Sequence, residues 1–421
     1  MNILVLAYQL SPTKGSEYSV AWNYVTHMSR YCQLTVLYGV SGEHLGDCYE
    51  MEEFIKTKGL PNVTFVCVKP NKWINALNWC NRHNFFNYTF YFAYRAWQKQ
   101  VYKVAQKLVT KNNFDLIHFV GPIGYREPGY LWKLDIPYMW GPIGGANKAS
   151  LILLSNSSKL SKVKFLFRNF ANDFQLRFSW RLKKAMKNTD LLLTATTENQ
   201  EIFKLRFNKE SIYLPENSIS SDIDLNVSKF RYCTCYHIII IGSLVAGKAV
   251  NIMLEALSHM RNRKKIMVDI VGDGPERHTL EAIAIKYHLQ DYVKWHGFLP
   301  RNEAVKLFKN AHLHVVTSAK DGNPTTIWEA MSHGVPTISF DHCGMHDTIC
   351  ERCGIRIPIH SYEQCVYDLA KEIDGLLEHP ERFEQLAYGA VACAQKYTWA
   401  DREKFLLKCY DMAINNYRGV L

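Results

Sequence analysis

Short apolar runs alternate with helically spaced apolar residues along this chain. Residues 3–7 and 33–38 are apolar runs of strand length, and residues 18–31 between them carry apolar side chains at helical spacing. A strand, a helix and a second strand in that order predict parallel pairing through a crossover. The same pattern predicts further strands at 116–119, 138–140, 189–195, 237–241, 268–271, 293–298 and 314–317. We therefore predict an α/β protein with doubly wound parallel sheets.

The domain organisation follows from length and from one break in periodicity. A chain of 421 residues suits two domains, each with its own core. Residues 216–236 lack periodicity and hold a Ser/Asp/Asn-rich patch, which predicts a linker there. We expect an N-terminal domain over 1–215 and a second domain over 237–398.

Composition narrows the class of protein. Hydrophobic residues make up 48% of the chain and charged residues 21%, which is typical of a globular protein. No run approaches the roughly 18 apolar residues of a membrane span, and the first ten residues look like a strand rather than a signal peptide. The 12 cysteines are scattered, which suits a reducing compartment, so we expect a cytoplasmic protein.

The strongest chemical pattern lies in residues 315–341. An apolar strand leads into a polar loop at 321–326, then a short helix carrying Glu329, then a second apolar strand. Such a loop and the helix N-terminus behind it form an anion-binding crevice. A helix beginning near Pro324 would direct the backbone N–H groups of residues 325–327 at a phosphate and place Glu329 about one turn further on.

This stretch resembles the nucleotide-sugar signature of group 1 (family 4-like) retaining glycosyltransferases. Their pattern is an acidic residue, seven residues, a Glu, and an Ala-Met-x-x-Gly-x-Pro tail, which residues 329–336 match closely. Asp321 stands where the family usually has Glu. The resemblance implies the GT-B fold, in which two Rossmann-like domains face each other across a cleft. It also implies that the last helix, within 399–421, crosses back to the N-terminal domain.

The resemblance also implies a donor site. Lys248 matches a family lysine that reaches the donor diphosphate, while Ser243 stands where an arginine is usual. Glu329 would hold the donor ribose and Asp321 the sugar hydroxyls. The implied catalytic residues are Asp321, Glu329 and Lys248, and the implied donor-binding residues are Gly15, Ser16, Ser243, Lys248, Gly272, Phe298, Asn323, Pro324, Thr325, Thr326 and Glu329.

Two other site types are disfavoured. Residues 242–248 approach a P-loop, but Ala249 follows where a Ser or Thr hydroxyl would bind magnesium. His342, Cys343, His346, Cys350 and Cys353 resemble a metal cluster by residue type, yet they lack a regular second pair. We expect neither a metal nor a cofactor, with a UDP-type or GDP-type nucleotide sugar as substrate.

The net charge of +11 indicates a negatively charged partner or surface. Residues 72–107 hold eleven aromatics and six Lys/Arg with no acidic residue, and residues 159–187 hold nine basic residues against one Asp. Basic and aromatic helices favour an anionic membrane surface. A core helix pair with a solvated basic face is the alternative, and nucleic acid is disfavoured because no binding module accompanies the charge.

The acceptor side is less marked. His118 lies within the strand predicted at 116–119, and Arg126 lies in the loop after it. Both are candidates to line an acceptor pocket, although a buried His and an Arg126–Glu127 ion pair are the structural alternatives. We predict a metal-independent retaining enzyme that transfers a hexose or N-acetylhexosamine to a glycan acceptor. The acceptor would be lipid-linked, at the inner face of the cell membrane, in the synthesis of capsule, O-antigen or exopolysaccharide. A sugar-nucleotide epimerase and a non-catalytic carbohydrate-binding protein remain the alternatives.

Overall fold

The computed structural model describes residues 1–15, 17–83, 85, 89–219, 223, 225–226, 228–231 and 233–419. These residues form two compact units. Unit 1 comprises Met1–Ala146, Phe174–Glu216 and Ala400–Leu421, and unit 2 comprises Asn147–Asp173 and Asn217–Trp399. None of the described helices combines the length and the apolarity that crossing a bilayer requires.

Strands and helices alternate through the first half of the chain. In order, the elements are β1 (Asn2–Ala7), α1 (Glu17–Met28), β2 (Gln33–Tyr38), α2 (Tyr49–Thr57), β3 (Val63–Cys67), α3 (Lys72–Leu77), α4 (Trp79–Arg82), α5 (Thr89–Val109), β4 (Leu116–Gly121), β5 (Tyr138–Ile143), α6 (Lys159–Phe178), α7 (Trp180–Lys187), β6 (Leu191–Thr194), α8 (Thr197–Phe207) and β7 (Ile212–Tyr213).

The second half repeats the alternation. Its elements are α9 (Ser228–Arg231), β8 (Tyr236–Ile241), α10 (Asn251–His259), β9 (Ile266–Val271), α11 (Arg277–Lys286), β10 (Val293–Gly297), α12 (Arg301–Lys306), β11 (Leu313–Val316), α13 (Thr325–Ser332), β12 (Thr337–Phe340), α14 (Cys343–Thr348), β13 (Gly354–Ile357), α15 (Tyr362–Glu378), α16 (Pro380–Ala394) and α17 (Trp399–Arg418).

Each unit contains one parallel sheet. Over the described residues, the strand order is β3-β2-β1-β4-β5-β6-β7 in unit 1 and β10-β9-β8-β11-β12-β13 in unit 2, and the paired strands run parallel. The order reverses direction at β1 in the first sheet and at β8 in the second. Doubly wound sheets bind ligands at such switch points, beyond the carboxyl ends of the strands. The predicted doubly wound architecture is confirmed.

Each sheet is covered by its own hydrophobic core. In unit 1 the core includes Leu6, Trp97 and Trp140, all fully buried, and in unit 2 it includes Leu254 and Leu313. Parallel strands covered on both faces must be apolar on both faces. This explains why β1 and β8 appear in the sequence as continuous apolar runs.

Residues 147–173 belong to unit 2, although the sequence places them in the N-terminal domain. Leu153 and Leu154 are buried in the unit 2 core, and the Ser150 amide donates to the Ala319 carbonyl at 2.8 Å. The predicted boundary was wrong for this segment because apolar spacing marks a buried face without specifying which core buries it.

The C-terminal helix α17 packs within unit 1. Its Glu403 is almost fully buried and accepts from Tyr31 Oη at 2.9 Å, while His27 Nδ1 lies 2.6 Å from the same carboxylate. Arg402 donates to the Pro215 carbonyl at 2.6 Å. These contacts join the end of the chain to the first domain, as the resemblance implies.

Candidate functional site

The helix α13 begins at the carboxyl edge of the unit 2 sheet with its N-terminus uncapped. Pro324 occupies the N-cap position, and no described side chain caps this end. The Ile327 amide already donates to the Pro324 carbonyl at 3.1 Å, so the prediction that it faces a phosphate was wrong. The amides of Thr325 and Thr326 begin the helix, where N–H groups lack intrahelical acceptors and attract anions.

Lys248 and Asp321 meet beside this helix start. The Lys248 ammonium lies 2.5 Å from Asp321 Oδ2, with the two side chains 33% and 21% exposed. Lys248 ends a 3-10 turn after β8, and Thr317 Oγ1 donates to its carbonyl at 2.7 Å. The fold thus brings together a cation and a carboxylate separated by 73 positions in the chain.

Glu329, one turn into α13, is paired with Arg301. Arg301 Nε lies 2.8 Å from Glu329 Oε1, and the Glu329 side chain is only 14% exposed. Burial raises the pKa of the Glu329 carboxyl, and the Arg301 guanidinium partly offsets the rise. Arg301 was not among the site residues predicted from the sequence. The sequence showed only that a basic residue begins a helix after β10.

Asn323 is a buried residue of the 321–326 loop. Its Oδ1 accepts from the indole N–H of Trp328, and its carbonyl accepts from Asn217 Nδ2 at 3.1 Å. Its Nδ2 is buried and has no hydrogen-bond partner among the described residues. A buried donor without an acceptor is costly, so Asn323 offers this site a donor for a ligand oxygen.

Gly272 positions the loop that carries Ser243. Gly272 has a φ of +141°, and a Cβ added there would lie 2.0 Å from the Gly242 carbonyl oxygen. Only glycine tolerates this backbone and this approach. Gly242, exposed Ser243 and Lys248 line a pocket with Pro324 and Thr326, and Phe298, 79% exposed, follows β10 at the same edge of the sheet.

Unit 1 has its own pocket at the carboxyl end of β1. It spans about 600 Å³ open to solvent and is lined by Tyr8, Gln9, Glu17, Tyr18, Val40, Glu43, His44, Leu45, Asn81, Phe90 and Pro122. Burial raises the pKa of the Glu17 carboxyl. Gly15, two positions earlier, is partly exposed, while Ser16 lies outside the described residues. Glu17 belongs to the same loop in the sequence as Gly15 and Ser16, but only Gly15 and Ser16 were assigned a role from the sequence.

His118 does not line a pocket. It is fully buried, with Nδ1 2.8 Å from Tyr24 Oη and Nε2 2.8 Å from the Gly141 carbonyl oxygen. Burial lowers its pKa to about 3, so it is a neutral ring that donates to Gly141 and accepts from Tyr24. The alternative of a buried His is confirmed, and the acceptor-side assignment of His118 was wrong because the ring lies inside an apolar strand that is covered on both faces.

Arg126 is partly exposed, and its guanidinium lies over the Tyr125 ring at 6.0 Å. Among the ion pairs of the described residues, Arg126 is not paired with Glu127. Glu127 is buried and pairs instead with Arg95 at 2.7 Å and Arg181 at 3.0 Å. The pairing of Glu127 with two distant arginines could not be identified from sequence proximity.

The helix α6 presents an apolar stripe to solvent. Leu160, Val163, Phe167, Phe170, Phe174 and Phe178 recur every three or four residues, and each is more than half exposed. Lys164 and Arg168 are exposed beside the stripe. A helix with an exposed apolar face and flanking cations is typical of a membrane-interface helix.

Comparison with known proteins agrees with this geometry. Residues 233–391 match the model of the family described as Glycosyl transferases group 1. Protein CapJ of Staphylococcus aureus is 24% identical over 262 residues, which cover 60% of this chain and 61% of CapJ. The putative colanic acid biosynthesis glycosyltransferase WcaL of Escherichia coli K12 is 26% identical over 133 residues, 30% of this chain and 33% of WcaL. The chain therefore matches less than two thirds of the length of either relative.

Solved structures of similar fold cover nearly the whole chain. Sucrose-phosphate synthase from Thermosynechococcus elongatus has a TM-score of 0.65 at 13% identity, covering 97% of this chain and 98% of its own. HepE from Anabaena, solved in complex with UDP, has a TM-score of 0.61 at 16% identity, covering 97% and 99%. At such identities the likeness shows the fold alone. Residues 233–391 therefore match the family of group 1 glycosyl transferases, and the chain has the GT-B fold.

Proposed function

We propose that this protein is a retaining glycosyltransferase that uses a nucleotide sugar of the UDP or GDP type. The observation that carries the proposal is the meeting of Lys248 with Asp321 beside the uncapped start of α13. A leaving nucleoside diphosphate needs positive charge, and the transferred sugar needs acceptors for its hydroxyls. Both kinds of group lie at this one edge of the sheet.

Each residue has a role in this proposal. Lys248 and the amides of Thr325 and Thr326 hold the diphosphate and stabilise the negative charge that develops as it leaves. Glu329 binds the ribose hydroxyls, and its ion pair with Arg301 favours the carboxylate form. Asp321 accepts from hydroxyls of the transferred sugar.

The transfer itself requires no protein nucleophile. The acceptor hydroxyl attacks the anomeric carbon on the face that the diphosphate leaves, the bond to the diphosphate oxygen breaks, and the hydroxyl proton passes to that departing oxygen. The configuration at the anomeric carbon is thereby kept. Because Lys248 and the helix start supply the positive charge, the reaction proceeds without a metal ion.

The proposed donor and pathway draw support from the relatives. HepE was solved with UDP, and WcaL is described as a putative colanic acid biosynthesis glycosyltransferase. We infer a hexose or N-acetylhexosamine as the transferred sugar and a surface polysaccharide as the product.

The proposed acceptor site is the unit 1 pocket. Glu17, Glu43 and Asn81 offer polar groups to sugar hydroxyls, and Tyr8 and Phe90 offer aromatic surface. Saccharides are held by this mixture of polar groups and apolar walls. The acceptor in this proposal is a glycan carried on a lipid.

The stripe on α6 supports a lipid-borne acceptor. Val163 and Phe167 are 62% and 59% exposed, and Lys164 and Arg168 flank them. Apolar side chains enter the interface while cations attract anionic headgroups. The protein in this proposal is cytoplasmic and binds the inner face of the cell membrane.

The test is the thermal unfolding of the full chain with UDP, GDP or Mg-ATP, each with and without EDTA. A ligand that binds only the folded protein raises the melting temperature. We expect UDP or GDP to raise it equally with and without EDTA. A rise in melting temperature with Mg-ATP alone would contradict the proposal and favour the P-loop interpretation. No rise with any nucleotide would favour a non-catalytic protein.

A second assay separates transfer from epimerisation. The nucleotide sugar that stabilises the protein is incubated with and without a lipid-linked glycan, and the products are separated by mass and by NMR. Transfer needs the acceptor and keeps the anomeric configuration. Conversion of the donor to its epimer without acceptor would identify the epimerase alternative.

A further inference from the structure

Three cysteines converge in unit 2, in the same hydrophobic cluster as Trp328 of α13. The Cys350 sulfur lies 3.6 Å from that of Cys353 and 3.5 Å from that of Cys393, and the three sulfur atoms lie within 4.8 Å of one another. The sequence showed Cys350 and Cys353 but no regular second pair of metal ligands. The third sulfur comes from α16, 40 residues after Cys353, and only the fold brings it into place.

The spacing of the sulfur atoms fits a bound metal ion. Tetrahedral zinc binds thiolates at about 2.3 Å, which places neighbouring sulfur atoms about 3.8 Å apart. The observed separations of 3.5 and 3.6 Å are close to that value. A disulfide needs about 2.05 Å, so none of these pairs is bonded.

The backbone around Cys350 is arranged for a thiolate. Residues 350–354 form a Cys-x-x-Cys-Gly turn in which the Cys350 amide donates to Cys353 Sγ at 3.2 Å. Amides that face a sulfur stabilise its anionic, metal-binding form.

Gly389 allows α16 to reach this turn. A Cβ at Gly389 would lie 1.7 Å from the Arg352 carbonyl oxygen, so the helix touches the turn directly. Cys393 lies one helical turn after Gly389 on the same face. The close approach and the third sulfur are therefore parts of one contact.

We propose that Cys350, Cys353 and Cys393 bind one Zn²⁺ ion through three thiolates, with water in the fourth position. Thiolates favour soft or borderline ions, and three protein ligands leave one position open. Cys350 is partly exposed, which gives the ion and the water a route in. Binding releases the thiol protons and ties the turn to α16.

The zinc ion would stabilise the packing of the helix α13, which follows the donor loop, and would take no part in the transfer reaction. Cys353 and Cys393 belong to the same buried cluster as Ile327, Trp328 and Met331 of α13. A zinc ion would hold the turn and α16 together behind that helix. The inference does not depend on the proposed function, because none of the three cysteines is assigned to the donor or the acceptor site.

The test is the zinc content of the full chain, purified from zinc-supplemented culture without chelator. We expect about one zinc per chain in the wild type and less than a tenth of that in Cys393→Ser. The matched control is Cys365→Ser, a buried cysteine in the core of the same unit, which should keep its zinc. Circular dichroism shows that each variant is folded.

Cobalt gives a second readout. We expect Co²⁺ added to the apo wild type to produce the intense thiolate-to-cobalt charge-transfer absorption, and Cys393→Ser to lack it. A wild-type protein with neither zinc nor this absorption would overturn the proposal, whatever the variants do. A Cys350–Cys353 or Cys350–Cys393 disulfide found by mass spectrometry in the freshly purified protein would also overturn it and would identify a redox pair instead.

Discussion

The Lys248 ammonium lies 2.5 Å from Asp321 Oδ2, so the residue proposed to hold the diphosphate is paired with the residue proposed to hold the sugar. Both side chains are partly exposed, and solvent weakens such a pair. The pairing is therefore easily exchanged for contacts with a ligand that carries phosphates at one end and hydroxyls at the other.

Replacing Lys248 should impair transfer far more than folding. In Lys248→Met we expect kcat to fall about 100- to 1000-fold, because one well-placed cation at the leaving group is lost. Initial-rate kinetics with saturating acceptor provide the measurement. Lys306→Met is the control, since Lys306 pairs only with exposed Glu303 on the surface of α12. Equal activity in the two variants would remove Lys248 from the site.

Replacing Glu329 should weaken nucleotide binding. Hydrogen bonds to a charged group contribute about 1.5–3 kcal/mol, so we expect Glu329→Gln to bind UDP or GDP roughly 10- to 100-fold more weakly by isothermal titration calorimetry. The control is Glu281→Gln, which removes the surface pair with Arg277. An unchanged dissociation constant in Glu329→Gln would show that the ribose is bound elsewhere.

Gly272→Ala should destabilise the protein. The new methyl group would collide with the Gly242 carbonyl at a φ of +141°, and we expect a loss of about 2–4 kcal/mol in unfolding free energy. Urea unfolding gives the value. The control is Gly375→Ala inside α15, where the nearest neighbouring atom would lie 3.7 Å from the added methyl group. We expect this variant to be neutral or slightly stabilising. Similar values for both variants would contradict the proposed packing.

Acid should destabilise the fold through its buried neutral histidines. Burial lowers the pKa of His118 from 6.5 to about 3, so below pH 6.5 the unfolded chain binds a proton that the folded chain does not. Stability conferred by this group is therefore complete above pH 6.5 and is lost as the pH falls toward 3. Between pH 7 and pH 5 the loss is about 2 kcal/mol for this one group.

Urea unfolding at pH 7 and pH 5 tests the histidine effect. The difference in unfolding free energy between the two pH values should shrink by about 2 kcal/mol in His118→Gln. It should stay unchanged in His278→Gln, because His278 is 97% exposed. A pH difference in His118→Gln as large as that of the wild type would mean that the folded protein binds a proton at His118 as readily as the unfolded chain does.

The α6 stripe should govern membrane binding. Burying one large apolar side chain contributes about 1.5–3 kcal/mol, so we expect the double variant Val163→Ser, Phe167→Ser to bind vesicles of phosphatidylcholine and phosphatidylglycerol at least tenfold more weakly. Flotation or co-sedimentation measures the bound fraction. Leu205→Ser removes another exposed apolar side chain, on α8, and should bind as the wild type does.

Lipid charge provides the complementary test. Wild-type binding should fall when phosphatidylglycerol is omitted and when salt is raised, since Lys164 and Arg168 act through screened charge. If the bound fraction does not change with lipid charge, with salt or in the stripe variant, the membrane proposal is contradicted. The basic face would then be a solvated surface.

The sequence predicted the strands well because buried parallel strands are apolar on both faces. The β1 and β8 runs needed no tertiary information. The 321–326 loop and Glu329 were also visible, because a strand, a polar loop and a helix fix their own local geometry. The Lys248–Asp321 meeting also required the observed pairing of β8 with β11, since the carboxyl ends of neighbouring parallel strands share one edge.

Other features depended on contacts that no local pattern encodes. The sequence made His118 a candidate to line a pocket. In the fold its ring is buried and hydrogen-bonded to Tyr24 and Gly141 from other elements. Arg301 reaches Glu329 only because α12 packs near α13, and residues 147–173 join unit 2 through Leu153 and Ala319.

By itself, therefore, the sequence determined the alternation of elements, the parallel sheets and the chemistry of the donor loop, because backbone periodicity and loop composition act over a few residues. The tertiary structure alone decided which cation faces Glu329, which core buries residues 147–173, and that Cys393 joins Cys350 and Cys353. Those pairings depend on how whole helices pack, and packing is a property of surfaces distant in the chain.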